Sequence, residues 1–256
     1  MIAELIFSRF GVVFNPRYIC SLLKKIGLSF QKAKFISDKV GQEEYELARS
    51  EWKEKTWPSI LKTAKEKGAS IIFADEVSFA MWGSLARTWA PVGQQPTLKT
   101  TGIRKGLKIF GGIELQSGKF IFMETPEKFN SSSYIQFIGC LAKAGDRPII
   151  LIEDGAPYHR SAEVKKFKKD MEEKGVLFTY RLPTFSPDLN PIEKLWRNTK
   201  KDATHLKYFK AFDELRLSVI NVFRKYMSDA AKVIKVMKKL RDSVTPNFPI
   251  DSFSGK

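Results

Sequence analysis

Cysteine and histidine are scarce in this sequence. The 256 residues include only Cys20 and Cys140, and only the histidines His159 and His205. Two thiols cannot build a disulfide framework or a four-cysteine zinc site, and neither a Cys-x-x-Cys pair nor a His-Glu-x-x-His motif is present. The scarcity therefore argues against zinc hydrolysis and favours a reducing interior as the setting.

Acidic residues are in the minority, and long apolar runs are missing. The chain has 44 lysines and arginines against 28 aspartates and glutamates, a formal net charge of +16. This excess favours a polyanionic partner, because lysine and arginine release condensed counterions when they neutralise phosphates. No stretch approaches the roughly 18 apolar residues of a membrane span, and the amino terminus lacks the form of a secretory signal. We expect a cytoplasmic protein that binds nucleic acid, nucleoid-associated when bound to DNA.

Residues 1–36 have the pattern of two short helices joined by a tight turn. The second helix has a complete signal, with Asn15-Pro16 at its start and Gly27 as its stop. This layout predicts a partial helix-turn-helix, followed by a wing strand over residues 28–35. An ordinary helical hairpin with solvated lysines is the alternative. The candidate DNA contacts are Arg17, Lys24, Lys25 and Lys32.

The rest of the chain is typical of a layered α/β fold. Residues 37–67 alternate charged and aromatic positions, which predicts a helical connector. Apolar patterns predict strands over residues 69–75, 88–92, 108–115, 119–124, 147–154 and 176–182. Helices are predicted over residues 131–144 and 161–174 and from residue 193. A mixed sheet flanked by helices is expected over 68–210, with a basic helical extension over 211–256.

Three carboxylates stand at the ends of predicted elements. Asp75 and Asp154 each follow a continuous apolar run, and Glu193 opens a helix after a proline-rich turn. A charge at the carboxyl end of a buried strand lies where the sheet opens to ligands. Carboxylate oxygens suit Mg²⁺ or Mn²⁺, and two such ions can assist phosphodiester chemistry. The pattern therefore predicts a metal site for cutting and joining nucleic acid.

Each acid also has a structural explanation. Asp75 could be a turn residue, and Glu193 could complete a helix-capping box with Asn190. His159, five residues after Asp154, could contact a phosphate or orient substrate, or it could be a surface histidine near a helix start. The neighbouring acids Glu76 and Glu153 should point to the opposite face of the sheet, because side chains alternate along a strand.

Three segments together resemble the DDE transposases of the mariner-like superfamily, specifically those of prokaryotic insertion sequences. The segments are 73–96, 150–161 and 182–196, and the last reads Leu-Pro-Thr-Phe-Ser-Pro-Asp-Leu-Asn-Pro-Ile-Glu-Lys-Leu-Trp. Residues 11–36 look like the second half of the helix-turn-helix region of that family. The resemblance implies a ribonuclease H-like catalytic core that binds two Mg²⁺ or Mn²⁺ ions. Asp75 would bridge the ions, and Asp154 and Glu193 would each complete one.

The activity implied by the resemblance is cleavage and strand transfer of double-stranded DNA, performed by a homodimer that holds two element ends. A nuclease of similar fold without strand transfer and a catalytically inactive DNA-binding relic are the alternatives. Relatives usually carry another helix-turn-helix before the one seen here. We therefore expect this chain to be the product of a split reading frame, a truncated relic, or the result of a mis-set start.

Overall fold

The computed structural model describes residues 2–28, 41–86, 88, 94–126 and 128–244. The chain divides into two compact units, Met1–Lys39 and Val40–Lys256. Among the described residues, no helix is long and apolar enough to cross a membrane.

The first unit contains the two predicted helices, α1 (Ile2–Phe10) and α2 (Pro16–Lys25). Helix α2 begins at the expected proline and ends before Gly27, whose φ of 82° places it in the left-handed region that glycine tolerates. Both helices are thus confirmed, whereas DNA binding by this unit stays a prediction. The predicted wing strand lies outside the described residues except for its first residue.

The second unit opens with the predicted helical segment. It consists of α3 (Gln42–Glu51), a short π-helical stretch (Trp52–Thr56) and α4 (Trp57–Lys67). Trp52 and Trp57 are buried, and their rings stack with centroids 5.5 Å apart. The aromatic positions therefore fasten this segment to the core, as the alternating pattern predicts.

A five-stranded mixed sheet forms the centre of this unit. Its strands are β1 (Ser70–Ala80), β2 (Gly106–Glu114), β3 (Phe120–Thr125), β4 (Ile149–Glu153) and β5 (Leu177–Arg181). Their order is β3-β2-β1-β4-β5. The β1–β2 and β2–β3 pairs are antiparallel, whereas β1–β4 and β4–β5 are parallel. The parallel half thus consists of β1, β4 and β5, and antiparallel strands extend it on the β1 side.

Helices cover both faces of the sheet. On one face lie α5 (Ser131–Lys143) and α6 (Ala162–Glu173), and on the other lie α4, α7 (Ile192–Ala203), α8 (Phe212–Met227) and α9 (Ala230–Val244). Alternate residues of β1 divide between the two cores: Ile72 faces α5, and Phe73 faces the α7 side. This alternation decides which way each functional side chain points.

Two predictions about these elements are wrong. Strand β1 does not end at Asp75 but continues to Ala80, because Val77 and Phe79 supply further buried positions that pair with β2. Residues 211–244 are not an appended extension, because Leu215, Val219 and Phe223 lie in the main core. The predicted strand over residues 88–92 falls outside the described residues except for Thr88, which is not in a strand.

Candidate active site

Two parallel strands bring Asp75 and Asp154 to the same edge of the sheet. The parallel pairing of β1 with β4 ends at Phe73 opposite Ile152. Asp75 and Asp154 each lie two residues farther along, where β4 has stopped and β1 continues alone against β2. Side chains alternate between the two faces of the sheet, and Asp75 and Asp154 are on the same face as Phe73 and Ile152, the face that α7 covers. The sequence correctly predicts that Glu76 and Glu153 point to the other face.

Asp75 is oriented by a tryptophan of α7. The Trp196 Nε1–H donates a hydrogen bond to Oδ2 of Asp75 over 3.0 Å. Directly opposite Asp75 on β2 stands Gly111, where an added Cβ would come within 2.3 Å of the Trp196 ring. The indole can therefore reach Asp75 because this strand position has no side chain.

Asp154 begins a compact turn after β4. Its Oδ1 accepts a hydrogen bond from the Ala156 N–H over 3.0 Å, and its side chain is 54% exposed. Nδ1 of His159 lies 3.4 Å from the same oxygen. The carboxylate is thus fixed by its own turn yet open to ligands.

Glu193 lies in the first turn of α7, at the end of the proline-rich loop. The predicted capping box is incomplete. Oδ1 of Asn190 accepts a hydrogen bond from the Ile192 N–H over 3.4 Å, but the Asn190 N–H donates to the Pro187 carbonyl and not to Glu193. The buried amide of Asn190 donates to the carbonyl oxygen of Ala74 over 3.1 Å. This bond ties the loop to β1 next to Asp75, so it fixes Glu193 relative to that acid.

A salt bridge holds the outer side of the same loop. The guanidinium of Arg49 on α3 donates to both carboxylate oxygens of Asp188, over 2.9 and 2.6 Å. A bidentate pair of this kind restricts orientation as well as distance. The connector segment therefore contributes to positioning the start of α7.

The three acids line one cavity of about 480 Å³. Its wall also includes the turn after β4 and the loop from Leu182 to Pro187. Two cations, Arg160 and Arg181, belong to the lining. The Arg181 Nη2 donates to the Gly155 carbonyl over 3.1 Å, which places this guanidinium beside the Asp154 turn.

The carboxylates of the cavity interact electrostatically. Burial, together with the charges of Glu76, Glu193 and Asp154, raises the pKa of Asp75 to about 8. Burial also raises the pKa of Glu193. The positive charges of Lys200 and Arg197 oppose this increase, and the negative charge of Asp154 adds to it. Like charges in a poorly solvated cavity disfavour ionisation, so the site favours a proton or a cation next to these groups.

His159 is a buried partner of the acids, so the alternative that it is a surface histidine is wrong. Its Nε2 lies 2.9 Å from Oε1 of Glu76, and its ring stacks on Tyr134 with centroids 4.0 Å apart. Burial disfavours the charged ring, but Glu76, Glu153 and Asp154 outweigh this effect and raise the pKa of His159. A role in contacting DNA phosphate stays a prediction, and the observed contacts favour positioning of Asp154.

Within the described part of the chain, Glu76, Asp154 and His159 form the group whose possible ligand atoms all lie within 4.8 Å of one another. Asp75 and Glu193 share the cavity with Asp154 but do not belong to that tight group. No local pattern predicts Glu76 near Asp154, because the two acids are linked through His159, which contacts Glu76 with one ring nitrogen and Asp154 with the other.

The predicted DNA-contacting residues of the first unit lie in or after α2. Lys24 and Lys25 are exposed in its last turn. Arg17 lies in its first turn, and its side chain is not described. Lys32 lies outside the described residues.

Sequence reasoning missed three polar partners of the acids. Trp196 carries no sequence signal as a partner of Asp75, although its place three residues after Glu193 puts both on one face of α7. Arg160 and Arg181 carried no local signal, because only the parallel β4–β5 pairing and the turn after β4 bring them to Asp154.

Residues 70–216 match the family model described as DDE superfamily endonuclease. No curated protein matches the chain. Among solved structures, the Mos1 strand transfer complex is similar with a TM-score of 0.62 and 17% identity, covering 100% of this chain and 74% of that chain. A pre-cleavage Mos1 transpososome is similar with a TM-score of 0.61 and 17% identity, covering 95% of this chain and 74% of that chain.

A third similar structure is the mariner Mos1 paired end complex with Mg, with a TM-score of 0.61 and 16% identity, covering 94% of this chain and 73% of that chain. These likenesses concern the fold. They confirm the predicted fold class, a ribonuclease H-like mixed sheet flanked by helices.

Proposed function

Because this chain belongs to the DDE superfamily endonucleases, we propose that it cleaves DNA with divalent metal ions held by Asp75, Asp154 and Glu193. The observation that carries the proposal is the convergence of these acids, from β1, the end of β4 and the start of α7, on one cavity. Each acid has its own local support, which is the preorganisation that a catalytic metal site requires.

The side chains around the cavity fit a divalent cation. Carboxylate oxygens are the hard ligands that Mg²⁺ and Mn²⁺ prefer. The raised pKa of Asp75 reflects burial beside other carboxylates, a situation that a cation at the same place would relieve. Asp75, Asp154 and Glu193 would together hold two such ions. When bound, such ions supply Lewis acidity at the attacking and leaving oxygens of the phosphodiester.

The protein's own residues would position these acids and the DNA. Trp196 holds Asp75 through its indole N–H. The Ala156 N–H and the imidazole of His159 restrict Asp154. The cavity cations Arg160 and Arg181 would hold phosphates on either side of the bond to be broken, because guanidinium groups bind phosphate oxygens in pairs.

We further propose that cleavage is followed by strand transfer. Water would attack a phosphodiester at the element end and break the bond to the 3′ oxygen, releasing a 3′-hydroxyl. That hydroxyl would attack a target phosphodiester and displace the 3′ oxygen of the target strand, so one phosphorus–oxygen bond forms for each one broken. This part of the proposal, with the homodimer, the double-stranded DNA partner and the prokaryotic insertion-sequence source, rests on the sequence resemblance.

Helix α2 is proposed to add DNA contacts outside the catalytic cavity. Lys24 and Lys25 are exposed and adjacent, so they are available to phosphates. Charge reversal at both positions should weaken binding at all sequences and lower its salt dependence, which fluorescence anisotropy measures.

The test is a plasmid-nicking assay in Mn²⁺, Mg²⁺ and EDTA. We expect the wild-type protein to nick DNA with either ion and not in EDTA, and we expect Asp75→Asn, Asp154→Asn or Glu193→Gln to abolish nicking while DNA binding persists. Asp170→Asn on the exposed face of α6 is the matched control and should nick normally. Nicking that survives in the three variants would refute the assignment.

A second assay separates transposase from nuclease. An oligonucleotide with a free 3′-hydroxyl is incubated with a target plasmid, and covalent joining is measured. Joined product supports strand transfer, whereas nicking without joining indicates a nuclease. DNA binding without either reaction indicates an inactive relic.

A further inference from the structure

Phe185 has a backbone conformation that a phenylalanine rarely adopts. Its φ is 57°, in the left-handed region that costs free energy for residues with a side chain of this size. Pro183 and Pro187 flank it in the loop before α7 and fix the backbone on both sides. Strain of this kind persists where the surrounding structure enforces it, and it concentrates at sites that bind or react.

The side chain of Phe185 does not contribute to either hydrophobic core of the described residues. The residue is 48% exposed. It lies instead in the wall of the cavity that contains Asp75, Asp154 and Glu193. An exposed aromatic residue in a strained segment of the cavity wall is explained by a ligand with a flat face.

The other groups of the cavity indicate which ligand this is. Arg160 and Arg181 supply positive charge for phosphate, and the acids supply ligands for cations. A nucleotide combines a phosphate with a π-face, and exposed aromatic rings beside basic groups are the usual platform for unpaired bases.

We propose that Phe185 stacks on a base of the nucleotide adjoining the scissile phosphate and so holds the cleaved strand in the cavity. The proposal rests on the proposed function, because it takes this cavity to be where DNA is cut. Phe185 is thus a substrate-positioning residue that acts on bases, whereas the arginines act on phosphates. Stacking tolerates every base, so it would fix the strand without reading its sequence.

Photo-crosslinking tests the contact without requiring catalysis. The probe is a DNA duplex with a single-stranded overhang in which 5-iododeoxyuridine replaces thymidine, and the protein binds it in EDTA. Irradiation joins iodouracil to stacked aromatic side chains, and mass spectrometry identifies the peptide. We expect the peptide containing Phe185 to dominate over those containing Trp82 and Tyr208, which are 51% and 40% exposed but do not line the cavity. Equal or stronger crosslinking at Trp82 or Tyr208 would overturn the proposal.

Substitutions separate a binding role from a structural one. Phe185→Gly removes both the ring and the strain, so we expect an unchanged or higher melting temperature and a roughly tenfold rise in KM for Mn²⁺-dependent nicking. Phe185→Leu should show the same rise in KM, and Phe185→Tyr should retain wild-type KM. The matched control is Leu206→Gly, because Leu206 also has a positive φ, 53°, and is 39% exposed but lies outside the cavity lining. It should gain stability and nick normally.

Two results would refute the role of Phe185 while leaving the proposed function intact. One is wild-type nicking by Phe185→Gly, and the other is a fall in its melting temperature, which would mean that the ring stabilises the fold. Failure of the proposed function has a different signature, since the wild-type protein would then nick no DNA in Mn²⁺. If the wild-type protein also gave no crosslink at Phe185, both proposals would be rejected together.

Discussion

Replacing Asp75 by asparagine should stabilise the metal-free protein at alkaline pH. Burial and the neighbouring acids raise the pKa of Asp75 from 3.8 to about 8, so the folded protein retains a proton that the unfolded chain has already lost. Where the folded state binds more protons, the free energy of unfolding falls as the pH rises. The stability associated with Asp75 is thus fully present below pH 3.8 and is lost as the pH rises to about 8.

The structure bounds the size of this effect. One pKa unit corresponds to about 1.4 kcal/mol, so the shift from 3.8 to about 8 sets a ceiling of about 6 kcal/mol. Asp75 is only half-buried, and charges near a protein surface are screened more strongly than charges in a dry interior, so we expect about 2–3 kcal/mol. Asparagine retains an oxygen that can accept the Trp196 N–H, so the substitution removes the charge and keeps the hydrogen bond.

The assay is urea denaturation in EDTA from pH 5 to pH 9, followed by tryptophan fluorescence. The stability advantage of Asp75→Asn over the wild type should be smallest at pH 5 and should grow as the pH rises, whereas Asp170→Asn should follow the wild type throughout. Adding Mn²⁺ at the alkaline end should stabilise the wild type and leave Asp75→Asn unchanged. Parallel pH profiles of the wild type and Asp75→Asn would refute the account of the carboxylate cavity.

Three further substitutions test the supports of the acids. Gly111→Ala should destabilise the fold by about 1–3 kcal/mol in thermal unfolding, because the new methyl group overlaps the Trp196 ring, and it should slow nicking as the indole leaves Asp75. Trp196→Phe removes the only hydrogen-bond donor of that ring, so we expect slower nicking with unchanged DNA affinity in anisotropy measurements. His159→Ala leaves Glu76 and Asp154 without their shared partner and should lower the nicking rate about tenfold at saturating DNA, a loss that His159→Gln partly restores.

The sequence predicts the main helices and strands well, because their apolar patterns are local. The continuous runs before Asp75 and Asp154 correctly identify two central strands, and the signals around Asn15-Pro16 and Gly27 correctly bound α2. The end of β1 could not be predicted from local sequence. Beyond Phe73 the strand no longer pairs with β4 but continues to pair with β2 as far as Ala80, and that pairing depends on a distant segment of the chain.

The polar contacts of the site also depend on distant segments. Local spacing predicts that Asn190 caps α7, and its Oδ1 does accept from the Ile192 N–H, but spacing does not show that its amide N–H also donates to the Ala74 carbonyl on β1. His159 follows a turn and precedes a helix, which is typical of an exposed residue, yet Tyr134 from α5 covers its ring. Neighbouring residues along the chain carry no information about such partners.

The central claim is that Asp75, Asp154 and Glu193 together hold the metal ions that act on DNA. The most direct measurement is anomalous X-ray scattering at the manganese edge from crystals of the protein with DNA and Mn²⁺. The account predicts peaks among these three acids, with Asp75 shared between two of them. A single peak between Glu76, Asp154 and His159, or no peak beside Glu193, would contradict it.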